Sequence, residues 1–284
     1  MGDFTKIHDE LDRAHAEAIC VDADLATARF ILFSDHHRGR RDGADDFVPC
    51  EQAYLKALRF YHSEGFSLCL LGDVEEFWEN PVFTVMRKYK DVVQAEKAFH
   101  SNDRLFRLWG NHDDEWRYRD TIALFFRKWR PRPRIGEAMS INFNEEHANK
   151  NILLVHGHQG NLESDRYAWL SKFFVRIFWR NFQRLFNVAL STPATSHELK
   201  SAHDQAMLSW ARKRDTVIIC GHTHETVFMG NDDEEAAYFN TGCCSYSNGE
   251  ITGIEIADQE IRLIRWRDSE REIIESRPLQ EVLS

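Results

Sequence analysis

The sequence predicts an α/β fold, a parallel or mixed sheet with helices on its faces and a C-terminal hairpin completing a second sheet. Three observations predict it. Five short apolar runs each end in His, Asp or Asn, helical spacing separates the first of them, and two alternating runs follow near residue 250.

The first run, Arg29 to Phe33, ends in SDHHRG, and the second, Leu68 to Leu71, ends in GDVEE. Continuous apolarity over so few residues marks strands buried on both faces. RLFRLWGNHDD, NILLVHGHQGN and DTVIICGHTHE repeat the pattern. Between the first two runs, Pro49 to Glu64 carries Tyr54, Leu55, Leu58 and Tyr61 at helical spacing, and Glu75 to Phe99 continues it with a break near Asn80-Pro81. In open sheets of this kind ligands gather at the carboxyl ends of the strands, where these polar loops converge. Ile251 to Ile256 and Ile261 to Trp266 alternate apolar and polar residues around Ala257-Asp258-Gln259 and read as a hairpin. The charged residues after Ser269 are expected to trail over the surface, and Asn240-Thr241-Gly242 to form a tight turn at the pocket edge.

With 284 residues, 43% of them hydrophobic and 29% charged, the chain reads as one domain, 1–284, carrying an insertion at 165–214. A net charge of -10 disfavours a long nucleic-acid partner, whose binding needs clustered cations. The six cysteines lack metal or disulfide spacing, and Cys243-Cys244 is expected to pack rather than react. The N-terminal residues are acidic and helix-like, without a signal-peptide pattern, and no uncharged run is long enough to span a bilayer, so a cytoplasmic location is expected.

Carboxylate and imidazole ligands on converging loops suit a pair of hard or borderline divalent cations. Asp35 and His37 leave a strand on alternate residues and can reach one metal. Asp73, after the flexible Gly72, is the natural bridge, and Asn111, His156, His222 and His224 supply the remainder. Histidines outside this constellation, His36, His100, His147, His197 and His203, read as ordinary surface or core residues, and His158 as intermediate.

In order, the blocks DHH, GD, GNHD, HGH and GHTH resemble those of the calcineurin-like metallophosphoesterases over Arg29 to about Thr241. The resemblance implies a sandwich of two mixed sheets flanked by helices. It also implies one metal on Asp35, His37, Asp73 and His224, and a second on Asp73, Asn111, His156 and His222, with a bridging hydroxide attacking a phosphate ester or pyrophosphate. His112 would stabilise phosphoryl oxygens or protonate the leaving group, oriented by Asp113. Two divalent ions are expected, Mn preferred, with Fe or Zn as alternatives.

Residues 166–190 of the insertion are aromatic-rich, with Lys172, Arg176, Arg180 and Arg184 at i, i+4 spacing. They suit an anionic lipid headgroup or a peripheral contact with the inner membrane face, or else a core-packed helix with a solvated basic side. The insertion and GDVEEFWE resemble the UDP-2,3-diacylglucosamine hydrolases, which cleave a pyrophosphate under a helical lid. His112 stands where those enzymes carry Arg. The substrate class is accordingly a phosphorylated small molecule or lipid nucleotide. A nuclease or cyclic-nucleotide phosphodiesterase is the enzymatic alternative, and a non-catalytic scaffold of the same fold the other.

Overall fold

The computed structural model describes residues 4–143, 151–160, 197–229 and 237–284. The chain opens with α1 (Thr5–Ala16), β1 (Ile19–Ala23) and β2 (Phe30–Phe33), then α2 (Glu51–Ser63) and β3 (Ser67–Leu71). Pro81 caps the start of α3 (Val82–Lys88), and Tyr89, outside helical geometry, separates it from α4 (Lys90–His100) before β4 (Leu105–Leu108). A 3-10 turn at Asp114–Arg117 leads to α5 (Arg119–Phe125), β5 (Arg134–Gly136), β6 (Ala138–Phe143) and β7 (Ile152–Val155). After α6 (His197–Arg214) come β8 (Val217–Cys220), β9 (Thr226–Met229), β10 (Tyr238–Thr241), β11 (Ile251–Ala257), β12 (Glu260–Arg267), β13 (Glu270–Pro278) and α7 (Leu279–Leu283).

The strands form two mixed sheets, ordered β13-β12-β11-β2-β3-β4-β5 and β1-β6-β7-β8-β10-β9. Side chains alternate across each strand, which explains why the motif strands are apolar throughout. Leu32, Cys69, Leu71, Phe106 and Leu108 face Ile152, Leu154, Val217, Ile219 and Phe239 between the sheets. Their neighbours Ile31, Phe33, Leu68 and Leu70 instead lie under Tyr54, Leu58 and Tyr61 of α2 and Val92 and Phe99 of α4. On the far side, Leu153, Val155, Ile218 and Cys220 pack against Leu11 and Ala14 of α1 and Met207, Trp210 and Ala211 of α6. The predicted α/β sandwich of two mixed sheets with flanking helices is therefore what forms.

Two expectations need correction. The hairpin of β11 and β12 does not complete the second sheet. It pairs with β2, Ile254 opposite Leu32, and extends the sheet that carries the first three motif strands. That register puts Ile254 and Ile256 into the inter-sheet core. Nor do the residues after Ser269 trail: β13 pairs with β12 along its length, and Leu279, Val282 and Leu283 of α7 are buried. As an edge strand β13 keeps its charges in solvent, which protects the open edge from further pairing and removes the alternation that would have announced it.

Of the insertion expected at 165–214, residues 165–196, with the basic stripe of 166–190, lie outside the described residues, as does His147. The rest is α6, which closes the second sheet through Met207, Trp210 and Ala211. Among the described residues no helix is long and apolar enough to cross a membrane. All six cysteines are free, and Cys243 and Cys244 are buried, with Cys243 pushed up to about 12 chiefly by burial.

Candidate metal centre

Where the motif strands end, the backbone turns through strained conformations. Asp35, His37, Asp73, His222 and His224 all have positive φ, between 48° and 72°. Non-glycine residues seldom occupy this region, so five of them on converging loops mark a site whose geometry the fold over-determines. The loops are sewn together by backbone bonds: Asp35 N–H donates to Gly72 O at 3.1 Å and His37 N–H to Asp73 O at 3.0 Å. Glycine permits the closest approaches. A side chain at Gly110 would come within 2.3 Å of Asp73 Oδ1, and one at Gly221 within 2.4 Å of Asp35 Oδ2.

Of three groups of ligand atoms, each with its atoms within 4.8 Å of one another, two consist of residues singled out from the sequence, Asp35, His37 and His224, and Asp73, His156 and His222; the third is His37, Glu76 and His112. Asp73 joins the first two, its Oδ2 lying 3.1 Å from His156 Nε2 and 3.9 Å from His37 Nε2. In the first group His37 Nε2 faces His224 Nε2 at 3.1 Å, and His224 Nε2 is 3.3 Å from Asp35 Oδ1. Asn111, on the loop after β4, presents a buried Oδ1 with no hydrogen bond. All seven residues singled out from the sequence thus belong to this one end of the sandwich.

Divalent cations fit this arrangement. Asp35 Oδ1 and His156 Nε2 are buried and closely approached, yet neither contact is aligned as a hydrogen bond, and Asn111 Oδ1 is equally unsatisfied. Buried polar atoms without partners are costly, and three of them among carboxylates and imidazoles are accounted for when their lone pairs take a cation. The remaining valences are used for orientation. His156 Nδ1 donates to Leu71 O at 2.8 Å, and Asp35 Oδ2 accepts from Ser34 Oγ and from His222 N–H.

Electrostatics agree. Burial alone would depress His37, but the Glu76 hydrogen bond and the charges of Asp73, Glu76 and Asp35 outweigh it and raise it to about 10. Asp73 and Asp35 likewise overcome burial at His156 and raise it to about 9. His222 goes the other way, held well below the usual range by burial and by His156. Metal-free protein at pH 7 therefore holds protons on His37 and His156 that a cation must displace. Loading metal at pH 7 should release about two protons, with affinity falling as the pH is lowered. Calorimetry in two buffers of different ionisation enthalpy measures the release; pH-independent uptake without it would contradict the arrangement.

One orientation differs from expectation. Asp113 does not hold His112: its carboxylate accepts backbone N–H groups of Gly110 at 2.7 Å, Val74 at 3.0 Å and Asp73 at 3.2 Å, bracing two of the loops. Burial, with the charges of Asp73 and Glu75, pushes Asp113 up to about 7. The carboxylate on His112 is Glu76, 2.6 Å from Nδ1 and also 3.1 Å from His37 Nδ1. Trp78 stacks on the His112 ring at 3.7 Å between centroids, 19° from parallel. Glu76 itself is lowered to about 2, because the charge and hydrogen bond of His112 exceed the effect of burial. The run GDVEEFW contained both residues, but nothing in it separates Glu75 from Glu76.

The histidines set aside divide. His36 packs in the core against Tyr54 and Phe47, neutral and held well below the usual range by burial. His203 of α6 is nearer the centre: its Nε2 donates to Gly157 O, and its ring lies 5.6 Å from that of His222. His158 lies beside His156, ring centroids 5.5 Å apart. Asn240 and Thr241 are the last residues of β10, and only Gly242, at φ 72°, turns the chain; Asn240 Nδ2 donates to Gly221 O at 2.7 Å and steadies the loop of His222.

The calcineurin-like phosphoesterase family matches residues 28–226, well over half of the chain and all seven candidate ligands. The chain belongs to that family. This calcineurin-like phosphoesterase is accordingly a metal-dependent phosphoester hydrolase, and the family implies two divalent ions. No curated protein matches it in sequence. Among solved structures it is similar to a dimetal phosphatase from Danio rerio, at 12% identity and TM-score 0.43, covering 88% of this chain and 99% of that one. It is also similar to the cold-active protein-tyrosine phosphatase of a psychrophile, Shewanella sp., at 15% identity and TM-score 0.42, covering 92% and 84%.

Proposed function

We propose that this phosphoesterase cleaves a phosphoric ester or anhydride at the paired ligand groups, with the pyrophosphate of a lipid nucleotide of the UDP-2,3-diacylglucosamine type as its leading substrate. The observation that carries the chemistry is the junction of the two groups at Asp73, beside an imidazole clamped by Glu76 and Trp78. Asp35, His37 and His224 would hold one cation and Asn111, His156 and His222 the other, with Asp73 between them; Mn suits this mixture of oxygen and nitrogen donors. When bound, such a pair supplies a water acidified toward neutrality and positive charge opposite the phosphoryl oxygens.

The protein's own contribution is orientation and proton transfer. Glu76 and Asp73 raise His112 above its usual range despite burial, which favours the protonated ring. Trp78 fixes its plane, leaving Nε2 to donate to the departing oxygen. Glu76→Gln is expected to lower kcat about a hundredfold, with a larger loss on esters of poor leaving groups than on nitrophenyl esters. Equal losses on both would remove His112 from proton transfer.

The lipid-nucleotide reading rests on the GDVEEFWE block and the insertion. His112 in place of Arg favours a second reading, a phosphodiesterase acting on smaller nucleotides. Purified protein stripped of metal and reloaded with Mn should be assayed on a chromogenic monoester, a chromogenic diester, a cyclic nucleotide and UDP-2,3-diacylglucosamine. A kcat/KM highest on the last supports the first reading; preference for the diester or cyclic nucleotide replaces it with the second.

A further inference from the structure

A second surface leaves the centre directly. The chain after Asn111 and His112 passes through the 3-10 turn and α5 into FRKWRPRPR, which ends in β5. Burial is discontinuous along this stretch. Phe126, Trp129 and Pro133 are buried, the first two in the core beneath α4, and His100 of α4 donates to Pro131 O at 2.7 Å. The residues between these anchors are forced outward: Arg127, Lys128, Arg130, Arg132 and Arg134 are all exposed. Arg134 pairs with Asp103 at 3.0 Å, whereas no carboxylate among the described residues pairs with the other four.

In a chain of net charge -10, these four cations on a pinned loop concentrate positive charge within six residues. They are not alone there. Leu124, three residues before Arg127, is 62% exposed. We propose that this loop, Arg127, Lys128, Arg130 and Arg132 with Leu124 just before it, docks the protein on an anionic lipid bilayer. The cations meet headgroup phosphates within a Debye length, so the distant acidic surface is screened, while Leu124 enters the interfacial layer. A nucleic-acid backbone would use the cations and leave the apolar side chain without a role. Because the loop is fixed by buried aromatic anchors, little ordering opposes docking.

Vesicle co-sedimentation of the full chain tests this, using phosphatidylcholine with about 30% phosphatidylglycerol against phosphatidylcholine alone. Wild type should sediment with the anionic vesicles only, and binding should weaken as salt is raised. The combined Arg127→Gln, Lys128→Gln, Arg132→Gln variant should bind about 100-fold more weakly, at roughly fivefold per cation removed. Its hydrolysis of a soluble chromogenic ester should be unchanged, which shows that it is folded. Undiminished vesicle binding by the variant, equal binding of wild type to neutral vesicles, or no binding at all overturns the proposal. Tighter wild-type retention on a DNA duplex, lost in the variant, overturns it in favour of nucleic acid.

Discussion

Asp73→Ala is expected to lower kcat/KM by more than about a thousandfold and to reduce bound metal toward one ion or none per chain. Asp73 is where the two ligand groups meet: Oδ2 faces both His156 and His37, and Oδ1 accepts the backbone N–H of His112 at 2.8 Å. Removing the carboxylate takes away the shared ligand and also leaves His37 and His156 without the negative charge that each experiences. Both imidazoles should then titrate lower than in the wild type, which NMR of the metal-free protein would record. Metal analysis beside kinetics separates the explanations. Lost metal with lost activity supports the assignment, whereas full activity with two ions bound would move the bridge elsewhere and leave Asp73 a backbone brace.

The largest effect on stability is expected at Glu75. It lies fully buried between Arg38 Nη2 at 2.7 Å and Arg107 Nη2 at 2.6 Å, and also accepts from Trp116 Nε1 at 2.7 Å. Glu96, buried too, takes Arg38 Nη1 at 2.8 Å. Two arginines thus share two carboxylates out of water. Glu75→Ala would leave more positive than negative charge inside the core, and loss of one member of such a buried set costs about 3–5 kcal/mol. The unfolding midpoint in urea should fall accordingly at pH 7. Burial raises the Glu75 carboxyl, but Arg107 and Arg38 outweigh it and hold it below its usual 4.5. Its folded-state pKa being depressed, the stabilisation is complete above 4.5 and disappears as the pH falls through the lower folded value. The gap between wild type and variant should therefore narrow in acid. A gap below about 1 kcal/mol at pH 7 would mean that water or a neighbouring carboxylate replaces Glu75.

This network also links stability to the site. Arg38 follows His37, and Glu75 lies between Asp73 and Glu76, so residues adjacent in sequence point alternately into the core and toward the ligands. That division was not legible in the sequence. DHHR and DVEE contain two histidines and two glutamates in tandem, and composition gives no reason to send His36 among Tyr54 and Phe47 while His37 reaches Glu76. The strand ends, by contrast, were legible, because five apolar runs each stopped at a polar block and only a doubly covered strand sustains such a run. The family resemblance implied Asp113 as the partner of His112, yet the φ of -131° and ψ of 31° at Asp113 accompany a carboxylate turned onto backbone N–H groups.

By itself the sequence determined the alternation of strands and helices and the seven candidate ligands at the strand ends, since hydrophobic period and ligand chemistry are both local properties; the sandwich of two sheets was an implication of the family resemblance. Only the tertiary structure decided that Glu76 holds His112, that the C-terminal hairpin joins β2, and that β13 is an edge strand. These depend on contacts between segments far apart in the chain: the His112–Glu76 pair spans 36 positions, and β11 reaches back to β2 from the other end of the molecule. Such pairings are chosen by the packing of whole layers and leave no signature in the residues taken one segment at a time.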